Sequence, residues 1–106
     1  MTLARNHKLM PIQAGITLLR QIWDEQKSIC ALTGEKMLRQ PGPNMASLDH
    51  KVPISRGGTN SKENLHFVLY SVNSTKADLS LDEFIEMCRS VVNHADTKIV
   101  RLRKVE

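Results

Sequence analysis

The chain has 106 residues, with 15 Lys and Arg against 11 Asp and Glu for a formal charge of +4; it has room for one compact domain and a balance compatible with a polyanionic partner. Its two cysteines, Cys30 and Cys88, stand far apart with no cysteine beside either, which excludes a disulfide framework or a four-cysteine zinc site within one chain. No apolar run has the length of a signal-peptide core or a membrane span, so a cytoplasmic protein with no membrane partner is expected.

Residues 1–11 read as an arm, polar and basic through Arg5, His7 and Lys8 and stopped by Pro11. From there Ile12, Ile16, Leu19, Ile22 and Trp23 recur at helical spacing, which predicts an amphipathic helix over about 12–28 with Trp23 as a core anchor. Thr33-Gly34 reads as a tight turn between short extended pieces, and the Pro- and Gly-rich 39–47 as loop. Two short apolar-leaning runs, one starting at Leu48 and one over Leu65 to Tyr70, predict an irregular hairpin interrupted at Ser55-Arg56-Gly57-Gly58. The polar series Ser71, Asn73, Ser74 and Lys76 predicts a short helix with a wet outer face. Ser80 and Glu83 form a capping box ahead of Leu81, Phe84, Ile85, Cys88, Val91 and Val92, predicting a helix over about 81–93 with Cys88 on its apolar face. Residues 97–106 alternate only loosely, as an edge strand or a basic tail would.

The chemistry lies between Leu48 and Lys76. Asp49-His50 is followed by Pro53, Gly57-Gly58, Asn64-Leu65 and Asn73-x-x-Lys76. A hairpin can carry Asp49 and His50 over the first turns of the helix bearing Asn73, so that Asp49 and Asn73 offer oxygens to one hard divalent ion. In extended chain His50 leaves the opposite face from Asp49, free to take a proton from an attacking water. There is no second group of carboxylates beside Asp49, so one metal ion is expected rather than two. Gly57-Gly58 permits a turn with positive φ or close backbone approach. Asn64 can bond loop backbone through both donor and acceptor and so hold the His50 strand. Lys76, a turn after Asn73, would share its face and meet a phosphate. Taken singly, His50 and Asn64 are as well explained as a surface histidine and a turn former; their joint order and spacing carry the inference.

This order resembles the HNH endonucleases, over Leu48 to about Asp78 and more loosely back to Cys30. The resemblance implies an α+β fold: a small ββα-metal hairpin-helix module over 48–78, flanked by an N-terminal and a C-terminal helix in a single 1–106 domain. It implies Asp49 as first metal ligand, His50 as general base, Asn64 as the loop-orienting central residue and Asn73 as second metal ligand. Family members hydrolyse DNA phosphodiesters with Mg2+, Mn2+ or a similar ion, leaving a 3′-hydroxyl and a 5′-phosphate.

Many members also hold a structural zinc on two Cys-x-x-Cys pairs. Here those positions are Cys30 and Thr33, then Leu69 and Val72, and one thiolate cannot build a tetrahedral site. No structural zinc is expected; Leu69 and Val72 should pack with Leu32 and Cys30 in its place. His66 lies two positions after Asn64 and could touch DNA or assist at the metal, whereas His7 and His94 read as surface histidines.

DNA is the expected partner, met by Lys51, Arg56, Lys62 and Lys76 through phosphates, which gives affinity without sequence specificity. Two alternatives stand beside the free-standing nuclease. One is a non-cutting DNA-binding or assembly module; the other is a phage packaging or restriction accessory active only within a larger complex.

Overall fold

The computed structural model describes residues 12–105, with side chains through residue 98; the expected arm over 1–11 lies outside them. Helix α1 spans Ile12–Gln26 and ends two residues short of expectation, because Lys27 and Ser28 both take positive φ (55° and 64°). This turns the chain into an isolated bridge between Ile29 and Lys36, closed by Gly34 at φ 77°. The tight turn expected at Thr33-Gly34 is therefore present.

Strand β1, Ala46–His50, pairs antiparallel with β2, Leu65–Leu69, in the register Ala46↔Leu69, Leu48↔Phe67, Asp49↔His66 and His50↔Leu65. Two short 3-10 turns, Ile54–Arg56 and Lys62–Asn64, shape the connection. Gly57 has φ 91°, and a Cβ on Gly58 would stand 1.8 Å from the Val52 carbonyl oxygen. One glycine supplies the left-handed turn and the other the close approach. Helix α2, Tyr70–Lys76, follows β2 without a loop. Helix α3, Leu81–Val105, opens on the expected capping box: the Ser80 N–H donates to Glu83 Oε1 at 2.9 Å and the Glu83 N–H to Ser80 Oγ at 3.2 Å.

The architecture is thus a ββα hairpin-helix unit flanked by an N-terminal and a C-terminal helix. One expectation fails: residues 97–105 are neither strand nor tail but continue α3 to 25 residues. No Gly or Pro interrupts 81–105, and Ala95, Lys98, Arg101, Leu102, Arg103 and Lys104 are strong helix formers. Local propensity therefore carries the helix past residue 93.

Side chains alternate across the hairpin. One face carries Phe67, which meets Trp23 of α1 edge-on with ring centroids 5.2 Å apart, while the Arg39 guanidinium lies 5.8 Å over the Trp23 ring. Trp23 anchors α1 as expected, though half-buried. The outer edge of β2 is sealed by Gln26, whose carboxamide accepts from the Phe67 N–H at 2.7 Å and donates to the Phe67 carbonyl at 2.8 Å, as a neighbouring strand would. Cys30, Met37, Val68 and Leu69 form the buried cluster, with Leu32 and Val72 packed against it. The residues at the four zinc-pair positions and their neighbour Leu32 thus include an apolar set, Cys30, Leu32, Leu69 and Val72, in one core. Cys30 Sγ accepts N–H bonds from Thr33 and Leu69, each at 3.4 Å; burial pushes the thiol up, but the Thr33 side chain and then the backbone N–H groups of Leu69, Leu32 and Thr33 outweigh it and hold the thiol below its ordinary value. Cys88 is only half-buried on α3.

Candidate functional site

The other hairpin face, carrying Ser47, Asp49 and His66, turns toward α2. A β-hairpin leading straight into a helix dictates this, since α2 must fold back over the face that β2 presents beneath it. Asn73 donates through Nδ2 to Ser47 Oγ at 2.7 Å and to the Leu48 carbonyl at 3.0 Å. Both amide hydrogens are engaged, which leaves Oδ1 as the acceptor of a side chain that borders a cleft. That cleft, about 280 Å³, is lined by Asp49, His50, Pro53, Ile54, Asn73 and Lys76, with Leu48 and Ala77. The expected ligand pair and the expected base thus line one depression.

Asp49 is buried, and both its oxygens are occupied. His66, its cross-strand partner, places Nε2 2.7 Å from Oδ2. Lys76, a turn past Asn73, places Nζ 3.1 Å from Oδ1 and donates to the His50 carbonyl at 3.0 Å. Burial pushes the Asp49 carboxyl up, but the hydrogen bonds from His66 and Lys76 outweigh it and hold the carboxyl below its usual range. Lys76 is 1% exposed. It shares the face of Asn73 as the spacing implies, but its ammonium sits inside the cleft wall on Asp49 rather than on a wet outer face, because the helix packs Asn73 and Lys76 inward together.

His50 is half-buried, and its Nε2 lies 2.8 Å from Asn60 Oδ1. With an oxygen at Nε2, the proton is placed there and Nδ1 is the nitrogen left to accept one. Asn64 makes the bonds foreseen for it: its Oδ1 accepts from the Val52 N–H at 2.9 Å, and its Nδ2 donates to the Val52 and Thr59 carbonyls at 3.0 and 2.8 Å. Its own carbonyl accepts from the Lys51 N–H at 2.8 Å. These bonds lock the loop that follows His50.

The surface cations are distributed differently from expectation. Arg56 forms a two-pronged pair with Glu83, with Nη2 to Oε2 at 3.1 Å, and donates to the Asp78 carbonyl at 3.2 Å. This ties the hairpin loop to the start of α3, raises the Arg56 guanidinium and draws the exposed Glu83 carboxyl down to about 2. Lys62 pairs with Glu25 of α1 at 2.9 Å. Lys51 is half-buried, its backbone holding Asn64 and the Leu81 N–H. Arg56 and Lys62 remain exposed, and such pairs are weak enough to exchange for phosphate.

Comparisons with family models, with curated proteins and with solved structures return no match. Among the described residues no helix is long and apolar enough to cross a membrane.

Two features escaped sequence reasoning. Asn60 sits in the loop whose sequence signal is its glycines, yet it orients the His50 ring. His66 was placed on the face of Asn64; since Asn64 belongs to a 3-10 turn rather than to β2, that alternation does not apply. The signal lay in the hairpin register, because His50 opposite Leu65 forces Asp49 opposite His66. A larger cleft, about 640 Å³ between Trp23, Phe67, Arg20 and Arg39, lies on the other hairpin face and is lined by none of these groups.

Proposed function

We propose that this chain is a metal-dependent endonuclease of the HNH kind that hydrolyses DNA phosphodiester bonds. What carries the reading is the cleft in which Asp49 from β1 and Asn73 from α2 meet His50, in the chain order of the motif. Metal is tested by the donor set. Among the described residues no three His, Cys, Asp or Glu side chains gather to hold an ion. A carboxylate with an amide oxygen beside an open cleft does fit a hard divalent ion that keeps water and phosphate oxygens in its remaining positions. Asp49 and Asn73 would hold Mg2+ or Mn2+, which when bound stabilises charge on the phosphate and its leaving oxygen.

The chain's own groups do the rest. His50, with Asn60 fixing its ring, takes the proton of the attacking water as the water–phosphorus bond forms and the bond to the 3′ oxygen breaks. Asn64 keeps His50 in register by clamping Val52 and Thr59. Lys76 and His66 set the direction of the Asp49 carboxylate. Lys51, Arg56 and Lys62 are the cations left for the backbone, which implies weak sequence preference.

The engaged state of Asp49 favours a second reading, a non-cutting binding or assembly module, including one that works only in a phage or restriction complex. A carboxylate satisfied by Lys76 and His66 has a structural explanation without an ion. Nicking of supercoiled plasmid with Mg2+, Mn2+ or chelator separates the two, run beside His50→Ala. Metal-dependent nicking lost in His50→Ala, with DNA binding retained, supports the enzyme. Binding without cutting in every metal supports the module.

A further inference from the structure

We propose that α3 pairs in antiparallel fashion with the α3 of a second copy of this chain, making the protein a homodimer. Among the described side chains, the helix meets its own body at the start. The Leu81 N–H donates to the Lys51 carbonyl at 2.7 Å, Glu83 pairs with Arg56, and Phe84 is buried. Beyond that, every side chain from residue 89 to 98 is exposed, including Val91 at 62% and Val92 at 55%. A helix of 25 residues is about 37 Å long, and more than half of it lies past these contacts.

Along α3 Ile85, Val92 and Ala95 are exposed while Leu81 and Cys88 are half-buried, and the sequence of the helix is not polar all round. Leu81, Ile85, Cys88, Val92, Ala95, Ile99 and Leu102 repeat at alternating intervals of four and three, the seam of a coiled coil held over three heptads. The helix backbone is continuous across all seven positions. Core burial in one chain does not require this 3.5-residue period, since among the described side chains it is the first turns that touch the body.

Flanking charge selects the occupant and the direction. The positions following Leu81, Cys88, Ala95 and Leu102 are Asp82, Arg89, Asp96 and Arg103. In an antiparallel pair these face one another across the seam, Asp82 opposite the partner's Arg103 and Arg89 opposite the partner's Asp96, each twice by symmetry. The core layers then set Ile85 against the partner's Leu102, Cys88 against the partner's Ile99, and Val92 against the partner's Ala95. A parallel pair would instead bring Lys98 beside the partner's Arg103 and form none of these attractions. The same sequence thus complements itself in one orientation only. The dimer does not depend on the proposed nuclease activity, and Val92 lies outside the candidate site.

Light scattering after size exclusion on the full chain is expected to give twice the chain mass, and Val92→Asp to return the monomer. Arg89→Glu should weaken dimerisation about tenfold, because two attractive pairs become repulsive, and adding Asp96→Arg should restore it. For direction, Ile99→Cys under mild oxidation should yield a covalent dimer whose linked peptides join 88 to 99. A wild-type monomer at all concentrations, a dimer indifferent to Val92→Asp, or a wild-type dimer crosslinked through Cys88 to Cys88 would each overturn the proposal.

Discussion

Lys76 and Asp49 form a buried ion pair, Nζ to Oδ1 at 3.1 Å, that joins the last turn of α2 to the strand carrying the proposed ligand and base. Removing one partner leaves the other charge buried, which costs about 3–5 kcal/mol in such sites. Lys76→Met fills similar volume without the charge and is expected to destabilise the fold by that amount in urea unfolding. Lys76→Met combined with Asp49→Asn should lose clearly less than the sum of the two single changes. Additive losses would mean that the two groups do not sense each other.

Asn64 acts on Val52 as a strand would, accepting its N–H and donating to its carbonyl, with Thr59 held by the same amide. Asn64→Ala removes three hydrogen bonds at about 1 kcal/mol each, so a loss of about 2–3 kcal/mol is expected. On the proposed function, nicking should fall with metal affinity unchanged, since Asp49 and Asn73 do not lean on this loop. Isothermal titration with Mn2+ beside the plasmid assay checks both halves. A matching drop in metal affinity would place Asn64 in the metal site itself.

Much of this arrangement was legible in the sequence because it rests on short-range rules. The capping box at Ser80 and Glu83, the glycine pair at 57 and 58, and the helical period of Ile12 to Trp23 each act within a few residues, and each is realised. The backbone bonds of Asn64 were legible too, since its amide offers a loop both a donor and an acceptor. What stayed hidden depends on register and on tertiary direction. Nothing local says that Lys76 turns inward to Asp49, that His66 faces Asp49, or that Gln26 completes the edge of β2 from 41 residues away. The full length of α3 was missed for a different reason. The apolar period of Leu81 to Val92 defines the amphipathic stretch, while propensity sustains the helix further.

Gly58 stands where a Cβ would be 1.8 Å from the Val52 oxygen and 2.7 Å from the Val52 carbon. Both are backbone atoms in the segment that Asn64 clamps, so neither can swing aside. Gly58→Ala is expected to destabilise by about 2–4 kcal/mol, against less than about 1 kcal/mol for Thr59→Ala, whose hydroxyl bonds only Ser61 in solvent. Thermal unfolding of the two variants side by side is sufficient. Equal stability would show that the loop can open at Gly58 without cost.

The exposed pair of Arg56 and Glu83 gives a pH signature separable from the cleft. Arg56 and the Ser80 N–H hold the Glu83 carboxyl down at about 2, from an ordinary value of 4.5. Because the folded value lies below the unfolded one, the stabilisation from this pair is present above pH 4.5 and is lost as the pH falls toward 2. Carbon-detected NMR titration of the Glu83 carboxyl should therefore place its midpoint far below the ordinary 4.5. Arg56→Gln should bring it most of the way back, with the Ser80 bond accounting for the remainder. A Glu83 midpoint in the ordinary range in the unaltered protein would mean that Arg56 is free in solution. The guanidinium would then be available to phosphate without first releasing the start of α3.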